Sequence, residues 1–217
     1  MIGPGEVSED VRARLFVAVV PPPDVLDAVE GWLVGARAAL ARLGDDELRW
    51  TTREQWHITL RFLGDAPMRA AVEAVEIDEA VETVGAVAPV VAADAVDGSS
   101  APPIDAELGP GLRALGRGVL CLPVRGLDRL AGAMTAATSH LGRPPERRPF
   151  RAHLTLARVR SGRRAPRLDR LVEWPFGVGS PPPFAERFEV REIQLVRSTL
   201  RPSGAVYDVV ARHTLRR

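Results

Sequence analysis

Short apolar runs alternate with proline- and glycine-rich breaks along the chain, and this pattern predicts alternating strands and helices. The runs rich in β-branched residues predict strands at 14–20, 48–52, 56–63, 88–96, 118–124, 149–159, 188–198 and 205–213. Helical spacing of apolar positions predicts helices after Asp24, at 67–84 and at 127–141.

Each half of the chain shows strand, helix and strand, and the halves are separated by a Gly/Pro/Ser-rich stretch at 97–116. Helices grouped against mainly antiparallel strands predict an α+β fold. Two similar lobes would set two sheets side by side, with equivalent strands facing a shared central cleft. We expect one bilobal domain at 13–217 after a flexible tail at 1–12. The break at 161–183 is long for a compact domain, which favours a functional or disordered loop.

Composition excludes several classes of protein. The 217 residues carry 29 basic and 28 acidic side chains, so any nucleic-acid contact must be local rather than a uniformly basic coat. All the basic residues are arginine. The single cysteine excludes an internal disulfide and a cysteine metal cluster. Neither a run of about 20 apolar residues nor a secretory signal is visible, so we expect a cytoplasmic protein without membrane contact.

The strongest chemical signal is a repeated motif, His57-Ile-Thr59-Leu and His153-Leu-Thr155-Leu, at matching places in the two halves. Side chains two apart on a strand share a face, so each histidine and its threonine point the same way while the apolar residues anchor the strand from behind. Two of the four histidines fall in these motifs, which favours a functional pair over two unrelated histidines.

Such a set suits phosphodiester cleavage. One imidazole can take a proton from water while the other protonates the departing alkoxide, because histidine titrates near neutral pH. Threonine hydroxyls can donate to the nonbridging oxygens, and an arginine can neutralise developing charge. Arg158 is a candidate, but its odd spacing from His153 places it on the opposite face of a regular strand. Arg158 can join the site only if the strand bulges or ends there.

Other uses of these residues are less well supported. A zinc site needs a third protein ligand, and no Asp or Glu lies within the motif strands. Cys121 lies inside an apolar strand, where packing is the expected role. His140 follows a helix pattern, and His213 lies in the last strand, so we expect both to be structural.

The residues at 57–64 and 149–158 resemble the two motifs of the two-histidine (2H) phosphoesterases, and more narrowly the RNA 2′,3′-cyclic phosphodiesterases, also called 2′-5′ RNA ligases. The opening stretch at 14–19 and the closing stretch at 193–198, with Gly204 and Tyr207, also fit, so the resemblance spans most of the chain. One departure is Ala152, where many relatives have proline before the second histidine; we expect little effect from it.

The resemblance implies a pseudo-twofold arrangement of the lobes around the cleft and a metal-independent hydrolysis that opens RNA 2′,3′-cyclic phosphate ends to 2′-phosphomonoesters. It also implies reversible 2′-5′ ligation, tRNA halves among the RNA partners, and no cofactor. It assigns catalysis to His57 and His153, phosphate binding to Thr59, Thr155 and Arg158, and base contact to Phe62 and Phe16. We expect a monomer.

Several points stay open at this level. We expect His153 to deprotonate the water and His57 to protonate the 3′ oxygen, although the motifs are equivalent in sequence. The arginines around the second motif can flank the cleft and contact RNA: Arg147, Arg148, Arg151, Arg160, Arg163, Arg164, Arg167 and Arg170. The alternatives are a 2H phosphodiesterase acting on a mononucleotide or ADP-ribose cyclic phosphate, and a non-catalytic protein that binds RNA ends.

Overall fold

The computed structural model describes residues 11–41, 48–75, 103–160, 183–202 and 204–215. These residues form three α-helices and ten strands. The helices are α1 (Pro23–Ala41), α2 (Met68–Val75) and α3 (Asp128–Ala137). The strands are β1 (Arg12–Val19), β2 (Leu48–Trp50), β3 (Ile58–Pro67), β4 (Ile104–Leu108), β5 (Arg113–Leu115), β6 (Val119–Arg125), β7 (His153–Val159), β8 (Glu186–Val190), β9 (Glu192–Arg201) and β10 (Gly204–Thr214).

The strands are arranged in two similar halves. The order is β10-β9-β1-β3-β7-β6-β4-β8, with β2 paired to β7 and β5 paired to β6. Every strand pair in the described ranges is antiparallel. The halves join at β3 and β7 through one residue pair, Ile58 with Leu154. The predicted α+β class with antiparallel lobes is therefore confirmed, and the two sheets are hydrogen-bonded into one path.

The two faces of the sheet differ in what they bury. Leu15, Val17 and Val19 of β1 point into the main core, whereas Phe16 and Ala18 point to the other face. This alternation follows from the two-residue period of a strand. The main core also contains the buried sides of all three helices. The second face of β1 is the face that carries the candidate site.

The helices connect the halves. α1 follows β1 in sequence but packs against β8 of the other half, and α3 follows β6 but packs against β3. α2 packs against β1, β9, β10 and α3. These crossed contacts bury the helices on one face and leave the other face of the central strands free for a cleft. No helix among the described residues is both long and apolar enough to cross a membrane.

The structure corrects parts of the sequence prediction. The stretch at 97–116 is not only a connection, because β4 and β5 lie within it. Prolines and glycines flank both short strands, and these breaks concealed the alternating burial of Ile104–Leu108. The strand expected at 188–198 is divided at Arg191, since β8 pairs with β4 while β9 pairs with β1 and β10.

Some predictions fall outside the described residues. They are the tail at 1–10, the helix beyond Val75, the strand at 88–96 and the loop at 161–182. The tail was expected to reach residue 12, but Arg12 already pairs with Pro67 as the first residue of β1.

Candidate active site

The β3–β7 junction brings the two motifs together. Ile58 and Leu154 form the antiparallel pair and are fully buried. Continuing this register places His57 beside Thr155 and Thr59 beside His153, all on the face opposite the buried pair. The predicted site is thus assembled by one cross-strand contact, and its four polar side chains are related by an approximate twofold axis through that contact.

Both imidazoles are anchored in the same way. His57 Nδ1 lies 2.8 Å from the carbonyl oxygen of Gln55, and His153 Nδ1 lies 2.7 Å from that of Arg151. A carbonyl oxygen only accepts, so Nδ1 of each ring carries the proton and donates it. The neutral ring then has an unprotonated Nε2, which is the atom that remains for a substrate.

His57 lies among aromatic rings. Phe16 stacks on it with ring centroids 4.7 Å apart, and Tyr207 meets it edge-on at 5.0 Å. Burial is the main cause that lowers the pKa of His57 from 6.5 to about 4. The hydrogen bond to the Gln55 carbonyl opposes this shift, and the positive charges of Arg158 and His153 add to it. His57 is therefore neutral near pH 7 in the free protein. Because the charges of Arg158 and His153 both influence the His57 pKa, these two residues lie in the neighbourhood of its ring.

Arg158 reaches the site through a bulge in β7. Leu120 of β6 pairs with Ala157 and Cys121 pairs with Thr155, so Leu156 has no partner across this ladder. Leu156 and Ala157 are consecutive and both buried. The bulge changes the alternation after Thr155 and brings Arg158 back to the face of the histidines. A regular strand would have placed it on the other face.

Thr51 supports this bulge from the side. Its hydroxyl lies 2.9 Å from the carbonyl oxygens of both Thr155 and Leu156. Its backbone N–H also donates to the carbonyl oxygen of Leu156, at 2.9 Å. The indole N–H of Trp56 donates to the same hydroxyl at 3.0 Å. Thr51 therefore connects the residue before His57 with the strand that carries His153.

Sequence analysis gave no site role to three residues that hold His57 in place. They are Thr51, Gln55 and Tyr207. Gln55 donates from Nε2 to the carbonyl oxygen of Ala205 at 2.8 Å, which fixes the turn before His57 to β10. Tyr207 is the only tyrosine in the chain. Their contacts depend on distant strands, so no local pattern could have shown that they hold His57 in place.

The two aromatic residues expected to contact a base differ in their surroundings. Phe16 is only 4% exposed, and its ring already contacts His57 and Tyr207, so the geometry favours a positioning role. Phe62 lies opposite Phe16 in the β1–β3 ladder and is half-buried. The guanidinium carbons of Arg14 and Arg143 lie 4.8 and 5.8 Å from the Phe62 ring centroid.

The remaining candidates lie apart from the cluster or have another role. His140 follows α3 and is exposed, and His213 pairs with Ile193 in the β9–β10 hairpin. Cys121 is buried opposite Thr155, where burial raises the pKa of its thiol to about 11. No group of three or more His, Cys, Asp or Glu side chains that could hold a metal ion occurs in the described ranges.

The arginines that flank the second motif are exposed where they are described. They are Arg147, Arg148 and Arg151 before β7, and Arg160 after it. Arg163, Arg164, Arg167 and Arg170 lie outside the described residues.

Comparison with known proteins gives a consistent set of relatives. A family described as LigT like Phosphoesterase matches residues 21–96 and 123–207, well over half of the chain. The crystal structure of TT0787 of Thermus thermophilus is similar, with a TM-score of 0.61, 26% identity, and coverage of 93% of this chain and 97% of that chain. E. coli LigT complexed with NADP+ has a TM-score of 0.58, 21% identity, and coverage of 94% and 99%. The MHV ns2 PDE domain has a TM-score of 0.50, 16% identity, and coverage of 85% and 99%. No curated protein matches the sequence.

Proposed function

Because the chain belongs to the LigT-like phosphoesterase family, we propose that its cleft hydrolyses RNA 2′,3′-cyclic phosphate ends to 2′-phosphomonoesters. The proposal makes His57 and His153 the catalytic acid–base pair. Thr59, Thr155 and Arg158 bind the phosphate, and Phe62 lies toward the base. With a 5′-hydroxyl of a second RNA strand in place of water, the same groups would form a 2′-5′ linkage.

One observation carries the proposal. The two imidazoles lie beside each other's threonine across the Ile58–Leu154 pair, and both are anchored through Nδ1 to the carbonyl two residues earlier. This arrangement leaves two Nε2 atoms and two hydroxyls on one face. A phosphoryl group between them would meet a base, an acid and two hydrogen-bond donors.

The chemical step follows from this geometry. The water oxygen bonds to phosphorus opposite the 3′ oxygen while one imidazole takes the water proton. The P–O3′ bond breaks and the other imidazole delivers its proton to O3′, which leaves a 2′-phosphomonoester. The threonine hydroxyls donate to the nonbridging oxygens, and the Arg158 guanidinium compensates the charge that develops there.

The ionisation of the free protein bears on which histidine is the base. Sequence analysis assigned the base to His153 and the acid to His57. A pKa of about 4 keeps His57 neutral at pH 7, and a neutral imidazole is the form that accepts a proton. The free protein therefore favours the reverse assignment, with His57 as the base and His153 as the acid.

The function is tested with an RNA oligonucleotide that ends in a 2′,3′-cyclic phosphate, in the presence of EDTA. We expect the protein to release a 2′-phosphate, and His57→Ala and His153→Ala each to lower the rate by about 10²–10⁴-fold. His140→Ala is the matched control and keeps the rate. Near-native rates in both site variants, or a 3′-phosphate product, would contradict the proposal.

A second substrate can show which histidine is the acid and which is the base. A cyclic phosphate with sulfur in place of the 3′ oxygen has a leaving group that needs no protonation, because a thiolate is far more stable than an alkoxide. The variant that lacks the acid should then recover most of its rate, whereas the variant that lacks the base should not. Recovery in His153→Ala alone supports His57 as the base, and recovery in His57→Ala alone restores the first assignment.

A further inference from the structure

Two arginines converge on Phe62 without a carboxylate partner. Arg14 comes from β1 and Arg143 from the segment after α3, and their guanidinium carbons lie 4.8 and 5.8 Å from one ring centroid. Neither makes an ion pair with a carboxylate in the part of the chain that the structure describes. Asp65 lies across the ladder from Arg14, but its carboxylate accepts from Arg12 at 2.8 Å.

The backbone of Arg143 is held in place by the neighbouring strand. Its N–H donates to the carbonyl oxygen of Leu63 at 2.7 Å, and its carbonyl oxygen accepts from Arg61 Nη2. A Cβ on Gly142 would overlap the Leu63 carbonyl oxygen, so only glycine allows this approach. A Cβ on Gly64 would lie 3.1 Å from Arg143 Cγ, so the stem of Arg143 occupies the space that Gly64 leaves.

Arg61 is an unusual anchor for this segment. Its side chain is buried, and its Nε finds no hydrogen-bond partner among the described residues. Nη1 donates to the Phe62 carbonyl oxygen at 3.0 Å. Burying a guanidinium to hold two backbone carbonyls opposes stability, since the charge loses its hydration. The protein therefore tolerates the unfavourable burial of the Arg61 guanidinium, which holds the backbone of Arg143 in place.

The cluster of Phe62, Arg14 and Arg143 lies on the same face of the sheet as the histidines, further along the cleft. Phe62 pairs with Phe16, and Phe16 stacks on His57, so all three belong to the same face. Phe62 is three residues after Thr59 on β3, which corresponds to about 10 Å at the rise of a strand. That separation suits a substrate group attached to the same nucleotide as the reacting phosphate.

We propose that Arg14 and Arg143 form a second phosphate site, which binds the phosphate on the 5′ side of the terminal ribose. Unpaired guanidiniums match phosphate oxygens through forked hydrogen bonds, and a phosphate beside the Phe62 ring would lie near both positive charges. The proposal rests on the proposed function and narrows it. The preferred substrate is an oligonucleotide end, in which that phosphate is a phosphodiester, rather than a cyclic nucleotide with a free 5′-hydroxyl.

Kinetics test this preference directly. The ratio of kcat/KM for a dinucleotide ending in a 2′,3′-cyclic phosphate to kcat/KM for adenosine 2′,3′-cyclic phosphate measures the contribution of the additional phosphate together with its nucleoside, and the arginine variants separate the phosphate from the nucleoside. We expect a ratio above about 10 in the wild type. Arg14→Gln and Arg143→Gln should each lower this ratio by about 10-fold, toward one, a loss of the size expected for a charge-assisted hydrogen bond.

The matched control is Arg69→Gln, because Arg69 is exposed on α2, which packs against the opposite face of the sheet. It should leave the ratio unchanged. A wild-type ratio near one, or equal ratios in the wild type and both site variants, would overturn the second phosphate site while the proposed hydrolysis still held.

Equilibrium binding tests the site without turnover. Adenosine 2′,5′-bisphosphate carries the 2′-phosphate of the product together with a 5′-phosphate, and adenosine 2′-phosphate lacks the latter. By isothermal titration calorimetry we expect the bisphosphate to bind the wild type at least about 10-fold more tightly, and Arg143→Gln to remove the difference. Equal affinity for both ligands, or failure of both to bind, contradicts the inference even if the protein hydrolyses no cyclic phosphate.

Discussion

His57 lies between a stacked phenylalanine and a tyrosine edge, and this enclosure determines its ionisation. Phe16 and Tyr207 exclude water from the ring, and burial is the largest cause of its low pKa. The carbonyl of Gln55 acts in the opposite direction because it stabilises the imidazolium. At the residue scale, the aromatic neighbours keep the imidazole of His57 neutral and oriented.

Opening this enclosure should raise the pKa of His57. Tyr207→Ala removes one wall and admits water, so we expect the pKa to move from about 4 toward 6.5. Histidine NMR titration reports the change. Tyr207→Phe is the matched control, because it keeps the ring edge and should keep the low pKa. An unchanged titration in Tyr207→Ala would show that the tyrosine does not shield the imidazole.

The same shift predicts how stability depends on pH. The unfolded chain binds a proton at His57 near pH 6.5, whereas the folded protein binds it near pH 4. Between these values the unfolded state holds more protons, so the free energy of unfolding falls as the pH falls. The loss attributable to His57 is on the order of 3 kcal/mol by pH 4.

Urea unfolding at pH 7.5 and pH 4.5 measures this effect in the wild type and in His57→Gln. The variant lacks the titrating group, so it should lose less stability between the two pH values. Equal losses in the two proteins would show that His57 has an ordinary pKa.

At the scale of elements, the bulge in β7 decides which face Arg158 occupies. Sequence periodicity identified the strand and the facing of His153 and Thr155 correctly. It predicted that Arg158 could face the histidines only if the strand bulged or ended there, but it could not locate the bulge, which arises from the register with β6 and is supported by Thr51. Register is a property of two paired strands, so the sequence of one strand alone does not predict where a bulge occurs.

Thr51→Val tests the support of the bulge. Valine has almost the same shape but cannot donate to the carbonyls of Thr155 and Leu156 or accept from Trp56. We expect a loss of about 1–3 kcal/mol in the free energy of unfolding and reduced turnover. Thr51→Ser keeps the hydroxyl and should retain most of both. If the Thr51→Val protein kept wild-type stability and activity, Thr51 would not be a support of the bulge.

Gly142 tests the close approach of the α3 segment to β3. Its φ is +59°, and a Cβ would collide with the Leu63 carbonyl oxygen, so Gly142→Ala should destabilise the protein and displace Arg143. Gly132→Ala in α3 is the matched control, with open space around its Cβ. Helix propensity predicts that it stabilises by up to about 1 kcal/mol. Thermal unfolding measures both, and equal stability of the two variants would contradict the steric argument.

At the scale of the molecule, the two halves of the sheet pair with each other at a single residue pair in the described ranges, Ile58 with Leu154, and the candidate site is built on it. The repeated motif allowed the fold class, the central cleft and the facing of both histidines to be predicted from sequence. Sequence analysis assigned no role to Thr51, Gln55 or Tyr207, although Tyr207 matched the family pattern. Gln55 is hydrogen-bonded to β10, Thr51 is hydrogen-bonded to β7, and Tyr207 contacts His57 from β10. Their roles arise from contacts between segments more than 100 residues apart.

The central claim is that both imidazoles act on one phosphoryl group. A crystal structure with adenosine 2′-phosphate bound tests it most directly. We predict that the phosphate lies between His57 Nε2 and His153 Nε2, within hydrogen-bond distance of both, and accepts from the hydroxyls of Thr59 and Thr155. A phosphate bound elsewhere, or reached by only one of the two rings, would contradict the claim.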